Sequence, residues 1–422
     1  MTGIQPRASI QATVKIPGSK SITHRALVAA SLARGESRII NFLDCEDTRH
    51  TIQGLRDIGA PISVEDQEVI VTGTGGAFPP PSSEPKKIYL GNSGTSYRFL
   101  VSIAALSRGA FLLTGNPRMH QRPIQDLVHA LRGLGVEASY EGQELYPPVL
   151  IRARGIPGGK VIMPGDKSSQ YISSLLLAGP CMEKGIEIEV QGDMVSQPYL
   201  DLTLHAMEKF GVSPLRQGYR SFKIPAGRHY QPCRFMVEGD ASSGSYFWAA
   251  AAVTGGTVRT DNIFAHTALQ GDIGFLDILE KMGCTVELKP DHVLVHGNDL
   301  QGIDVDMAKM PDMVPTLAAV ALFARGKTHI RNVPHLRYKE SDRLEAVATE
   351  WQRLGARVEE LPDGLTIHGG SPLKGTILDP RDDHRIAMAL AVVGLRVPDL
   401  RIENGDCVNK SFPRFWDMWK TL

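Results

Sequence analysis

Pro17-Gly18-Ser19-Lys20-Ser21-Ile22-Thr23-His24-Arg25 separates an apolar, strand-like run, Ala12 to Ile16, from a helix-like run, Ala26 to Leu32. Pro-Gly ends the strand, and Ser19 or Ser21 is placed to cap the helix that follows. Lys20 and Arg25 then set two cations near a helix N-terminus, whose free N–H groups already favour anions. The same design recurs along the chain. A polar breaker precedes an apolar helix at Gly91 to Arg98, Gly165 to Gln170, Gly239 to Ser243, Pro311 to Val314 and Asp382 to Arg385. With Lys20, Gly94, Ser169, Ser243, Asp312 and His384 as markers, the steps are 74, 75, 74, 69 and 72 residues.

A second series runs between these breakers. Amphipathic helices end at Gly59, Gly135, Gly211, Gly283 and Gly355, in steps of 76, 76, 72 and 72. Glycine just past a helix is the expected C-cap. Alternating β-like sequence follows each one, such as Thr285 to Leu288 and His292 to His296. Two series in register imply one unit, loop–helix–strand–helix–hairpin, written six times. The sixth copy lacks its hairpin, and the strand Ser9 to Ile16 is available to complete it. The expected organisation is therefore discontinuous. Residues 19–238 hold three units; residues 1–18 plus 239–422 hold the other three.

Bulk properties narrow the function. A chain of 422 residues exceeds one typical core. Lys+Arg and Asp+Glu both total 46, so nothing marks a general nucleic-acid or membrane binder. The five cysteines are far apart, with no zinc spacing, and fit a reduced, cytoplasmic chain. Arg325-Gly326-Lys327-Thr328 lacks the earlier glycine of a P-loop, because position 321 is Ala321. Gly73-Thr74-Gly75-Gly76 leads into Pro79-Pro80-Pro81, not a helix, so it is no dinucleotide fingerprint. Asp382-Asp383-His384 could ligate a metal, but no second His or Asp cluster has ligand spacing.

If the repeats stack, the breaker loops gather at one end of each domain and face a cleft between them. They and their neighbours carry Lys20, Ser21, Arg25, Asp47, Asn92, Gly94, Thr95, Arg98, Arg122, Ser168, Ser169, Gln170, Asp312, Lys339, Glu340, Arg343, Asp383, His384, Arg385 and Lys410. That concentration of cations in a neutral chain predicts a ligand bearing phosphate and carboxylate groups. Asp312 and Glu340, carboxylates among cations, are candidates for proton transfer.

These motifs resemble the 3-phosphoshikimate 1-carboxyvinyltransferase (EPSP synthase) family. The likeness rests on Pro17 to Ser21 with Arg25, Gly91 to Thr95 with Arg98, Gln121 to Ile124, Lys339 to Arg343, and Asp383-His384-Arg385. It extends to Ser168 to Gln170, Ser196 with Tyr199, and Lys410 to Pro413. The resemblance implies an α/β fold: a two-domain inside-out α/β barrel with six βαβαββ units, three per domain. It implies enolpyruvyl transfer from phosphoenolpyruvate to the 5-hydroxyl of shikimate 3-phosphate by a monomer, with no metal or other cofactor. Lys20, Ser21, Arg25, Ser168, Ser169, Gln170, Ser196, Tyr199, Asp312, His335 and Lys339 would hold shikimate 3-phosphate. Lys20, Asn92, Gly94, Thr95, Arg122, Gln170, Arg343, Arg385 and Lys410 would hold phosphoenolpyruvate. Lys20, Asp312 and Glu340, with His384 nearby, would serve the proton transfers.

Three residues depart from that pattern: Lys167 adds a cation beside the Ser168 loop, His335 stands where Asn is common, and Phe99 is placed behind the Gly94 loop. Glyphosate would compete with phosphoenolpyruvate, and Gly94→Ala would weaken it by crowding. The alternatives are the sister transferase acting on UDP-N-acetylglucosamine and a non-catalytic anion-binding paralogue. The first calls for a Cys near Arg122, and none lies between Cys45 and Cys181.

Overall fold

The computed structural model describes residues 1–81, 85–266 and 268–422. It is a mixed α/β protein whose chain divides into two compact units. One is continuous, Gly18–Val237, and is called here the inserted unit. The other, the split unit, combines Met1–Pro17 with Glu238–Leu422. Each encloses its own hydrophobic core.

The inserted unit carries helices α1 (Lys20–Leu32), α2 (Glu46–Ile58), α3 (Gly94–Leu106), α4 (Gln125–Gly133), α5 (Ser169–Ala178) and α6 (Gln197–Lys209). Its sheets are small and four-stranded. In one, Arg34–Ile40 lies between a parallel neighbour, Arg234–Met236, and the antiparallel hairpin Ile62–Glu65/Glu68–Thr74. Lys86–Tyr89 and Gly159–Pro164 are the parallel edges of two further sheets built the same way. The split unit carries α7 (Ala241–Thr254), α8 (Phe275–Lys281), α9 (Val314–Ala321), α10 (Arg343–Arg353), α11 (His384–Gly394) and α12 (Phe415–Trp419).

Helices that are apolar all round must be buried all round. Every residue of α7, α9 and α11 is buried. In α1, α3 and α5 the exceptions are Lys20, Ser21, Thr95 and Gln170, all in the first turn. Such a helix can reach solvent only at its N-terminal end, and there its polar residues collect. The amphipathic helices behave differently, and the five glycines that follow them all adopt positive φ, from 82° at Gly211 to 117° at Gly59. A residue with a Cβ is strained there, which is why the cap is glycine.

Two local expectations fail. Ser19 occupies the N-cap of α1, but its hydroxyl makes no cap bond; Thr23 Oγ1 donates to the Ser19 carbonyl instead. The strand at Gln11–Lys15 does not complete the last sheet. It pairs in parallel with Thr257–Asp261, five residues against five. The last sheet, Ile377–Leu378 beside Arg401–Ile402, is only two residues deep and takes Thr2–Gly3. Alternation identifies a strand, whereas length and register choose its partner.

Candidate active site

In the inserted unit the polar helix starts are tied by specific bonds. Lys20 Nζ donates to Asp47 Oδ2 at 2.8 Å, and Asp47 sits in the first turn of α2, where the helix end favours a carboxylate. Arg25 is 2% exposed. Its Nε donates to Thr203 Oγ1 at 2.8 Å, Nη1 to the Ser21 carbonyl at 2.7 Å and Nη2 to the Tyr199 carbonyl at 2.8 Å. Burial lowers its guanidinium to about 10. Phe99 lies under that guanidinium, 5.4 Å from Cζ to the ring centroid, so it braces Arg25.

Arg122 Nη1 donates to the Asn92 carbonyl at 2.9 Å and to Asn92 Oδ1 at 3.2 Å. A Cβ on Gly94 would stand 2.5 Å from Arg122 Nη2 and 2.7 Å from its Cζ. Glycine is thus what lets this guanidinium lie against the start of α3. Ser168 caps α5 by accepting from the Gln170 amide at 3.3 Å. Ser196 stands at the start of α6 with φ 53° and ψ 39°. Lys167 is less available than its sequence position implies, since Asp126 of α4 takes it at 3.2 Å.

The split unit holds a denser cluster. Arg343, the first residue of α10, is 1% exposed and touches three carboxylates. Its Nη1 donates to Asp312 Oδ1 at 2.8 Å, Nη2 to Glu340 Oε2 at 2.9 Å and Nε to Asp383 Oδ2 at 2.8 Å. Asp383 also caps α11 through the Arg385 amide. Arg385 Nη2 donates to Asp312 Oδ2 at 2.7 Å, and Lys339 Nζ lies 3.8 Å from Asp312 Oδ1. Burial alone would raise the Asp312 carboxyl, but Arg385, Lys339 and Arg343 hold it well below the ordinary range. It is an acceptor, not an acid, at neutral pH. His384 is buried, with Nδ1 3.7 Å from Asp383 Oδ1, which suits support of Asp383. Lys410, at the end of a short 3₁₀ turn, is also buried. Among the described residues no group of three or more His, Cys, Asp or Glu is placed to hold a metal ion.

His335 is 6% exposed, and neither ring nitrogen has a hydrogen-bond partner among the described residues. Burial, then Lys339, pushes its imidazole from 6.5 down to about 4. The unfolded chain therefore binds a proton between pH 6.5 and 4 that the folded one refuses. Stability is unaffected above pH 6.5 and falls by roughly 3 kcal/mol on acidification through that window. Asp272 acts in the opposite sense. Burial, then Asp312, raises it to about 6, so its contribution is present below pH 4 and lost as pH rises through 6. The informative quantity is the difference between two proteins. His335→Asn should gain stability relative to wild type on going from pH 7 to pH 4.5 in urea unfolding. Parallel pH profiles would contradict this origin of the acid sensitivity.

Asp272 was not singled out by its sequence. It is buried, accepts from Ser242 Oγ, and is electrostatically linked to both Asp312 and Arg385. Gln270 beside it holds the start of α7, accepting from the Ala241 amide and donating to the Gly239 carbonyl. A signal for Asp272 existed in the loops that precede the second helices. Asp47, Arg122, Ser196, Asp272, Glu340 and Lys410 follow one another at 75, 74, 76, 68 and 70 residues.

Each unit of this mixed α/β protein thus collects cations at helix N-termini, with ionised carboxylates among those of the split unit, an arrangement suited to anionic ligands. The family model for EPSP synthase (3-phosphoshikimate 1-carboxyvinyltransferase) matches residues 4–419. The chain belongs to that family. It is 42% identical over 420 residues to a 3-phosphoshikimate 1-carboxyvinyltransferase of Marinomonas sp. (strain MWYL1), covering 99% of this chain and 98% of that one. It is 43% identical over 422 residues to the Sulfurovum sp. (strain NBC37-1) protein of the same name, again covering 99% and 98%. A solved EPSP synthase from Acinetobacter baumannii superposes with a TM-score of 0.81 at 27% identity, covering 99% of this chain and 97% of that one.

Proposed function

We infer that the chain catalyses the transfer of the enolpyruvyl group of phosphoenolpyruvate to the 5-hydroxyl of shikimate 3-phosphate, releasing inorganic phosphate, a step of the shikimate pathway. The observation that carries this reading is Asp312 lodged between Arg343 and Arg385. It sets a hydroxyl-proton acceptor directly beside cations suited to carboxylate and phosphate. Lys20, Arg122, Gln170, Arg343, Arg385 and Lys410 are assigned to phosphoenolpyruvate, with Asn92, Gly94 and Thr95. Ser21, Arg25, Ser168, Ser169, Gln170, Ser196, Tyr199, His335 and Lys339 are assigned to shikimate 3-phosphate.

The chemistry requires a proton on the methylene carbon as the 5-oxygen bonds to C2. Lys20 is assigned to supply it. Asp312, released from Arg385 when substrate carboxylate arrives, takes the hydroxyl proton. The cations stabilise the tetrahedral intermediate. Glu340 then accepts the methyl proton as the C2–O bond to phosphate breaks. We further propose that each unit is an inside-out barrel of three βαβαββ repeats, and that the protein works as a cytoplasmic monomer on two small anions, without metal or other cofactor. The UDP-sugar alternative and the inert paralogue are not favoured by a whole-length match to this family.

Phosphate release from phosphoenolpyruvate, measured with and without shikimate 3-phosphate, tests the assignment. Release should depend strictly on the second substrate, and its absence would end the proposal. Gly94→Ala has a defined cost here. The new methyl group must displace an Arg122 guanidinium held by two bonds to Asn92. KM for phosphoenolpyruvate should rise about ten-fold, and inhibition by glyphosate should weaken with it. An unchanged KM would show that Arg122 moves aside freely.

A further inference from the structure

We propose that Arg98 is a positioning residue that fixes the hydrogen-bond polarity of the anion-facing starts of α3 and α5. Arg98 is buried in α3, and its Nη1 donates to Gln170 Oε1 at 2.5 Å. A guanidinium has donors only. The Gln170 carboxamide is therefore held with its oxygen toward Arg98 and its nitrogen away. Gln170 Nε2 in turn donates to Thr95 Oγ1 at 3.0 Å. A hydroxyl that accepts on a lone pair keeps its own hydrogen for another acceptor. The relay thus runs one way, Arg98 to Gln170 to Thr95. It leaves the second Nε2 hydrogen and the Thr95 hydroxyl hydrogen as donors.

Gln170 and Thr95 are also the sole residues of α5 and α3 that are not buried. With the partly exposed Ser168 cap and Asn92 beside them, these two side chains form the face that the two helix starts turn to a ligand. Without Arg98 the carboxamide is free to turn over. Its oxygen would then take the Thr95 hydrogen and present lone pairs outward, repelling an anion where two donors had stood.

Arg98 is itself anchored on several sides. Its Cζ lies 5.2 Å from the Tyr171 ring centroid, its carbonyl accepts from Ser174 Oγ at 2.6 Å, and Ser174 meets Ser102 Oγ at 2.6 Å. Tyr171 OH donates to the Pro123 carbonyl at 2.6 Å, next to Arg122. The relay is thereby referenced to the same segment that carries the Arg122 cation.

This inference rests on the assignment of phosphoenolpyruvate to the Gly94–Thr95 loop. The test measures KM and kcat for phosphoenolpyruvate in the full chain, with melting temperature alongside. Arg98→Met should raise KM about ten-fold with kcat within about three-fold. Arg98→Lys, which still donates, should recover most of that loss. Thr95→Val should raise KM comparably and Thr95→Ser less. The Arg98→Met/Thr95→Val double variant should be little worse than the worse single variant, because both break one relay. If Arg98→Met does not fold, the Thr95→Val and Thr95→Ser comparison decides, and equal KM values overturn the proposal. Equal effects of Met and Lys at position 98, or multiplicative effects in the double variant, also overturn it while leaving the activity assignment standing. A wild type without shikimate-3-phosphate-dependent turnover overturns both.

Discussion

Lys20→Met should cut kcat by on the order of 10²–10⁴-fold while leaving the protein folded. Lys20 opens α1 at its only solvent-facing turn, and its ammonium is held 2.8 Å from Asp47 Oδ2. Methionine keeps the aliphatic stem and its packing but removes both the proton and the charge. Asp47 remains in the first turn of α2, whose free N–H groups offset part of the lost pairing. The fall should therefore appear in turnover, with only a few degrees lost in melting temperature. Phosphate-release kinetics and a circular-dichroism melt of the same preparation separate the two effects. Turnover within ten-fold of wild type would remove Lys20 from the proton-transfer role.

Arg343→Met is expected to act on the fold itself. One guanidinium, 1% exposed, serves Asp312, Glu340 and Asp383. Removing one member of a buried ion pair costs roughly 3–5 kcal/mol, because the partner charge stays behind. Here three carboxylates lose a shared cation. Domain stabilities are only about 5–15 kcal/mol in total, so the split unit should be close to its limit. Urea unfolding near neutral pH should register the loss, and it should shrink on acidification as the carboxylates protonate. Lys339→Met, which removes a more exposed cation 3.8 Å from Asp312, should cost much less. Similar unfolding midpoints for the two variants would refute Arg343 as the charge centre of this unit.

The sequence was most legible where structure is local. A breaker before an apolar run announces a buried helix, and glycine after an amphipathic one announces its end. Both follow from chain geometry within a few residues. Family membership was legible for a related reason, since short motifs in fixed order survive as text. Partners across long separations were not. Nothing within Gln11–Lys15 says that it pairs with Thr257–Asp261. Nor does the sequence of α4 say that Asp126 will take the Lys167 charge. Asp272 stayed hidden because its importance lies in neighbours contributed by α7, α11 and the turn at Asp312.

That pairing of Gln11–Lys15 with Thr257–Asp261 also sets an order of events at the ribosome. All of Gly18–Val237 is made before the partner strand exists. At synthesis rates of ~5–20 residues per second, the first long strand waits roughly ten to fifty seconds. The inserted unit, continuous in sequence, can fold during that interval. The split unit cannot close its first sheet until the wait is over. Gln11, Thr13 and Lys15 alternate with Ala12 and Val14 in the waiting strand, and an edge that carries Lys is a poor template for unwanted pairing. A strand made before the inserted unit is thus among the last to reach its place, and its polarity protects the nascent chain meanwhile.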